Sequence, residues 1–266
     1  MTRRVMLIIV AGLLAGVALL WRAPWAEERV RIAGEEAALA RATAESEFVL
    51  PAALDAARDQ AENMGLRAFV VHRRGHRVFE YFEHGAAGHS EVDGGELASA
   101  LLTLALHQPG DEAADAAQAA ALVSGRIWLP LRAADAWLLD GASAPPRRCC
   151  IRARLDDWLR VADLVNGQGA YRGERVISPD AVRAMLAGLP PGRTGGDEPL
   201  LARDGITFDL QPGLRIWLAP RRQLTMLVWA DDAIAQDTLL PNLILRGLDD
   251  ASPAISGDIS DLVPGH

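Results

Sequence analysis

Ser99 is the side chain in this sequence whose type and setting come closest to nucleophilic chemistry. It lies in GGELASALLTLALHQ, residues 94–108, a run that predicts a helix. A serine hydroxyl becomes a nucleophile when a neighbouring base takes its proton. All 27 basic residues are arginine, so no lysine amine can act as that base. His107 follows two helical turns later, about 12 Å along a helix, which is too far for direct contact.

Histidines and carboxylates elsewhere offer two further candidate sites. The side chains of one loop that could bind a metal are His84, His89, Glu91 and Asp93. Their spacing matches no closed metal site, so a solvated polar loop is the favoured interpretation. His72 and His76 flank Arg73-Arg74-Gly75, which predicts an exposed basic turn. No metal site is predicted.

Two pairs of apolar, β-branched or aromatic runs predict β-hairpins. The first pair is LRAFVVHR and HRVFEYFEH, and the second is GLRIWLAP and QLTMLVWAD. A helical pattern from Leu54 to Met64 precedes the first hairpin, and Thr238–Leu248 predicts a helix after the second. A helix and hairpin at each end predict an α+β fold, an antiparallel sheet flanked by both terminal helices.

Length and charge limit the organisation and the partners. With half of its 266 residues apolar, the chain can bury one sizeable core, which we assign to residues 51–250. A net charge of −8 argues against nucleic acid as a partner. The sequence contains neither a glycine-rich phosphate loop nor a dinucleotide fingerprint, so no cofactor is predicted. Residues 251–266 are acidic and rich in Ser, Pro and Gly, which predicts a disordered tail.

The N-terminus predicts a membrane segment. Val5–Trp21 contains seventeen uncharged residues preceded by Arg3-Arg4, so residues 1–22 are interpreted as an uncleaved anchor, with a cleaved signal peptide as the alternative. The positive start places the remainder outside the cytoplasm, on the periplasmic side of an inner membrane crossed once. Residues 23–50 mix Glu, Arg and Ala, which predicts a juxtamembrane stalk.

The stretch from Ser124 to Leu186 is the most informative part of the chain. Apolar residues at helical spacing between Leu155 and Val165 predict a helix, and Ser178 can cap a second one. It contains four segments in succession, GRIWLPL, AWLLDG, RRCCIRARLDDWLRVADLV and NGQGAYRGERVISPDAV. In this order they resemble the penicillin-recognising serine hydrolases, in the branch of class C β-lactamases, esterases and 6-aminohexanoate-dimer hydrolases. The resemblance implies a β-lactamase/transpeptidase-like fold, although the matched segment is scaffold in that family.

The resemblance also implies where a catalytic serine and lysine should lie. The family places its serine at the start of the first helix of the helical lobe, with the lysine three residues on. If Glu96 matches the serine, Ser99 replaces the lysine; if Ser99 matches the serine, Leu102 replaces the lysine. Both alignments lose the base, and the sequence does not decide between them.

The two other family motifs are also changed. The family takes a tyrosine from a loop of the helical lobe, but Tyr81 lies on a predicted strand and Tyr171 in a surface turn. Between His107 and Ser124 there are sixteen residues, which predicts a shortened helical lobe. Where the family has Lys-Thr-Gly or His-x-Gly, Gln211-Pro212-Gly213 stands here.

These residues together predict a membrane-anchored serine-hydrolase-like protein with a degenerate site. The vestigial site consists of Glu96, Ser99, Gln211 and Gly213. The leading hypothesis is an inactive relative that binds a partner protein or an envelope peptide, and the alternative is an active amide or ester hydrolase using Ser99. The shortened lobe should expose apolar surface, which predicts a self- or hetero-oligomer.

Overall fold

The structure is a computed structural model that describes residues 28–83, 85–106, 115–140, 151–189, 205–231 and 239–249. The predicted membrane anchor, residues 1–22, and the predicted tail, residues 251–266, lie outside these ranges. Within the described ranges, no helix combines the length and the apolar character needed to cross a bilayer.

A five-stranded antiparallel sheet forms the centre of the fold. Its strands are β2 (Ala68–Arg73), β3 (His76–Phe82), β9 (Ile206–Asp209), β10 (Leu214–Ala219) and β11 (Leu224–Trp229). They lie in the order β3-β2-β11-β10-β9. Both predicted hairpins are confirmed, since β2 pairs with β3 and β10 with β11. Between β2 and β3, Arg74 and Gly75 both have positive φ, which suits a tight hairpin turn.

The two terminal helices cover one face of this sheet. They are α1 (Pro51–Asn63) and α6 (Leu239–Arg246), close to the bounds that periodicity predicts. Leu54, Ala57 and Ala61 on α1 share a core with Leu240 and Ile244 on α6. Burial of these apolar stripes is what holds the helices against the sheet.

A helical lobe covers the other face. Its helices are α2 (Gly95–Ala105), α3 (Ala116–Val123), α4 (Leu155–Asn166) and α5 (Pro179–Ala187). The predicted cap is confirmed, because the Ser178 hydroxyl accepts a hydrogen bond of 3.2 Å from the amide of Ala181. Trp158 on α4 packs edge-on against Trp128, with ring centroids 5.9 Å apart. A small hairpin, β7 (Ala170–Tyr171) and β8 (Glu174–Arg175), separates α4 from α5.

A second sheet corrects the stalk prediction. Its four strands, in the order β1-β5-β6-β4, are β1 (Glu28–Ile32), β5 (Ala136–Asp140), β6 (Ile151–Arg154) and β4 (Glu91–Asp93). The prediction of a helical stalk is therefore wrong for residues 28–50, which lie within the fold. Val30 and Ile32 alternate with arginines, a period of two that suits a strand, and Ile32 is fully buried.

His72 corrects a second prediction, that of an exposed basic turn. Its side chain is fully buried, and its Nδ1 lies 2.8 Å from Oδ2 of Asp163 on α4. Arg77 Nε lies 3.5 Å from the other ring nitrogen, so a ring with its proton on Nδ1 satisfies both contacts. The pair lies between the sheet and α4, away from solvent, and fastens one to the other.

Candidate functional site

The start of α2 is packed directly against β9. Gly95, the first residue of the helix, has a φ of +50°, and a methyl group there would overlap the carbonyl oxygens of Asp209 and Leu210. Only glycine combines this backbone conformation with such a close approach. The gap between the helix start and the edge strand is therefore filled by the backbone itself.

Glu96 occupies the first turn of α2 and faces β9. Its Oε2 accepts a hydrogen bond of 2.8 Å from the backbone amide of Asp209. A carboxylate is favoured at this position, because the first turn of a helix carries a partial positive charge. Within the described ranges, Glu96 is therefore the one of the two candidate residues whose side chain contacts the backbone of β9.

Ser99 lies one turn further into α2 and is engaged by its own helix. Its hydroxyl donates to the carbonyl oxygen of Gly95 at 3.4 Å, and its carbonyl accepts from Thr103 Oγ1 at 2.9 Å. No side-chain base contacts the Ser99 hydroxyl within the described ranges. His107 lies outside them.

Gln211 and Gly213 lie in the turn between β9 and β10. Gln211 Oε1 accepts a long hydrogen bond of 3.4 Å from the amide of Asp93, and its backbone carbonyl accepts from Leu214 at 2.9 Å. Gly213 has a φ of +77°, and its carbonyl accepts from Ala230 at 2.8 Å. These contacts close a turn and link it to β4, which is a structural task.

Ion pairs surround the vestigial site. Arg215 contacts Asp209 through two hydrogen bonds of 2.6 and 3.1 Å. Arg152 on β6 donates to Asp93 at 3.1 Å. With Glu96, the described part of the site has three carboxylates and two arginines. Such an arrangement can bind polar groups.

Neither tyrosine takes the place of the family tyrosine. Tyr81 lies on β3, at the opposite edge of the large sheet from β9. Tyr171 is buried, and its hydroxyl accepts from Arg160 at 3.4 Å. Burial raises the pKa of Tyr171 and raises that of Tyr81 to about 12. Both phenols therefore stay protonated at neutral pH, and neither can serve there as a base.

The candidate metal loop runs into strand β4. His84 lies outside the described ranges, Glu91 is exposed on β4, and Asp93 is ion-paired with Arg152. Within the described ranges, no group of three or more His, Cys, Asp or Glu side chains could hold a metal ion.

A buried polar cluster on α4 escaped the sequence reasoning. Besides the pair of Asp163 with His72, Asn166 Nδ2 donates to Thr225 Oγ1 at 3.1 Å. The signal was present, since Asp163 and Asn166 lie three residues apart on a helix that is otherwise buried. Buried polar groups on such a helix need partners, and the sheet supplies them.

Comparison with known proteins supports the fold. No family model matches the chain, and no curated protein matches it. Among solved structures it is similar to a protein from Bacillus anthracis named as a 6-aminohexanoate-dimer hydrolase, with a TM-score of 0.54 at 10% identity, over 84% of this chain and 89% of the other.

Two further structures align less well. One is a Bacteroides dorei protein named as a β-lactamase, with a TM-score of 0.49 at 12% identity, over 73% of this chain and 98% of that one. The other is EstCE1, a hydrolase with promiscuous acyltransferase activity, with a TM-score of 0.48 at 9% identity, over 77% and 99%. The chain has the β-lactamase/transpeptidase fold that its scaffold segment predicts.

Proposed function

We propose that this chain is a membrane-anchored, β-lactamase-related protein that does not catalyse hydrolysis and binds a partner protein or an envelope peptide through the remains of its cleft. The observation that carries the proposal is the hydrogen bond from the Asp209 amide to the Glu96 carboxylate. It holds a carboxylate in the first turn of α2, where the family resemblance expects the nucleophilic hydroxyl, and this supports an inactive site.

The chemistry of acyl transfer explains why this contact matters. A serine hydrolase needs a hydroxyl, a base that takes its proton, and amide donors aimed at the developing oxyanion. Here the amide at the edge of β9 is taken by Glu96, and the negative charge of that carboxylate would oppose an oxyanion nearby. Gly95 packs against the Leu210 carbonyl and leaves no gap there for an acyl group.

Binding is supported by the position of β9. Within the described ranges, β9 is an edge strand, paired on one side with β10 alone. An edge strand can accept an extended peptide as an additional strand, here along the part of β9 that precedes Asp209, whose amide is taken by Glu96. Arg152 and Arg215, with their carboxylate partners, border this edge and can recognise charged side chains of a partner. Backbone pairing alone does not select a sequence, so these side chains would decide which partner binds.

An active hydrolase using Ser99 is the alternative, and its geometry is poor. The Ser99 hydroxyl donates to a helix carbonyl and contacts no base within the described ranges. The shared fold with the Bacillus anthracis protein does not carry activity over, because a fold hosts many functions and the site must supply its own chemistry.

The decisive experiment is covalent labelling of the purified full-length chain. We expect no mass increase at Ser99 after incubation with a fluorescent penicillin and with a fluorophosphonate probe, while the protein melts cooperatively. A Ser99→Ala variant serves as the control for labelling elsewhere. A mass increase at Ser99 that is absent from this variant would establish the hydrolase and overturn the proposal.

The anchor and the oligomer have separate tests. Alkaline extraction of membranes should leave the full-length chain in the pellet, and a variant lacking residues 1–22 should appear in the supernatant. Association predicts an elution volume in gel filtration that changes with protein concentration. A monodisperse monomer at high concentration would contradict it.

A further inference from the structure

A separate cleft lies beside β3, at the opposite edge of the large sheet from the vestigial site. Its volume is about 360 Å³, within the range of small-molecule sites. Its walls come from the segment after β1, from β3, and from the loop after β3 together with the start of α4. Four arginines and four carboxylates line it, so the cleft has no excess of either charge.

The inner end of the cleft contains an unsatisfied carboxylate. Asp157 is 2% exposed, and its Oδ1 accepts from the Ala134 amide at 3.2 Å and lies 3.4 Å from Arg160 Nε. Its other oxygen, Oδ2, accepts no hydrogen bond within the described ranges. A buried carboxylate oxygen normally accepts a hydrogen bond, so a donor from a ligand would complete the hydrogen bonding of Oδ2.

The rim of the cleft consists of ion pairs that can exchange partners. Arg154 contacts Glu36 at 2.6 Å, and Arg41 contacts Glu80 at 2.7 Å. Arg154 is 36% exposed and Arg41 63% exposed. Exposed pairs of this kind contribute little to stability, so a ligand carboxylate can replace Glu36 on Arg154 at small cost. Glu80 is also held by the buried Arg77 at 2.7 Å, so there a ligand would join Arg41 without displacing Glu80 from Arg77.

We propose that this cleft binds a small zwitterion, an amino acid or a short peptide, with its ammonium group on Asp157 and its carboxylate on the arginines of the rim. An ammonium group supplies the donor that Asp157 Oδ2 lacks, and the balanced charge of the walls suits a ligand carrying both signs. The site is distinct from the vestigial one and does not depend on the proposed function.

Binding should depend on pH through Asp157. Burial raises the pKa of this carboxyl to about 6, while the neighbouring Arg160 and Arg154 lower it and Asp156 raises it. The ammonium group needs an ionised carboxylate, so binding strengthens as the pH rises through about 6. His89 also lines the cleft, and for this reason the pH profile is to be repeated in a His89→Gln background.

The ligand side of the test uses glycylglycine and its two blocked forms with the full-length chain. Isothermal titration at pH 7.5 should show saturable binding of glycylglycine with a Kd of about 1 mM or lower. N-acetylglycylglycine lacks the ammonium group and glycylglycine amide lacks the carboxylate, and each should bind at least about tenfold more weakly. Absence of saturable binding, or equal binding of all three, overturns the proposal.

The protein side uses one deep and one rim variant. Asp157→Asn keeps an oxygen for the Ala134 amide and removes the charge, so it should melt cooperatively and lose about tenfold in affinity. Arg154→Gln should lose a similar factor for glycylglycine and little for its amide. The control is Arg183→Gln, which breaks the exposed ion pair of Arg183 with Asp180, in a later part of the chain than the cleft residues. Unchanged binding in both cleft variants refutes the site, whether or not Ser99 is labelled by the probes above.

Discussion

Replacing Gly95 by alanine tests whether the start of α2 packs directly on the backbone of β9. A φ of +50° costs a non-glycine residue about 1–2 kcal/mol. The added methyl group would also overlap two backbone carbonyls, of Asp209 and Leu210, which cannot rotate away as a side chain would. Overpacking of this kind costs about 1–3 kcal/mol. We therefore expect Gly95→Ala to lower the free energy of unfolding by about 2–5 kcal/mol.

A matched control separates strain from contact. Gly75, in the turn between β2 and β3, has a φ of +77° and open space where a methyl group would stand. Gly75→Ala should therefore lose only the conformational part, about 1–2 kcal/mol. The assay is urea unfolding of both variants, with the free energies obtained by linear extrapolation. If Gly95→Ala is no less stable than Gly75→Ala, the start of α2 does not pack on the backbone of β9.

Three further substitutions test the site and its supports. Glu96→Ala removes the acceptor of the Asp209 amide and should cost about 1–2 kcal/mol in urea unfolding, whereas Glu96→Gln keeps an oxygen and should cost less. The pKa of Asp157 is raised from 3.8 to about 6, so between these two pH values the native state holds a proton which the unfolded state has released. The free energy of unfolding of the wild type relative to Asp157→Asn should therefore fall by about 2–3 kcal/mol between pH 4 and pH 7; a flat difference contradicts the buried environment. Asp163→Ala leaves the buried histidine without its partner and should cost about 3 kcal/mol, against less than about 0.5 kcal/mol for Asp180→Ala in an exposed pair; equal melting temperatures would show that the buried pair is unimportant.

Most local elements were predictable because their signals are local. Apolar spacing marks α1 and α4, a serine followed by proline marks the start of α5, and alternation about Arg74-Gly75 marks the first hairpin. Each of these features depends on residues within a few positions in the chain, so the local sequence is enough to predict it. The α+β class followed from the helix and hairpin at each end, which leave few ways to pack one sheet. The β-lactamase/transpeptidase-like fold followed from the family resemblance of the segment between Ser124 and Leu186.

Partners distant in the chain decided the rest. Glu28–Ile32 is as rich in charged residues as a solvated helix. It forms a strand because its backbone pairs with that of β5, more than a hundred residues away in the chain. His72 is buried because Asp163 meets it from α4.

The vestigial site shows the same division. The residue types alone established that the chain contains no lysine. Which of Glu96 and Ser99 faces β9 depended on the rotation of α2 about its axis, and that rotation is set by Gly95 packing against the backbone of Leu210. A helix can present any of its faces until a neighbour fixes one, so only the tertiary structure could place the carboxylate on the strand.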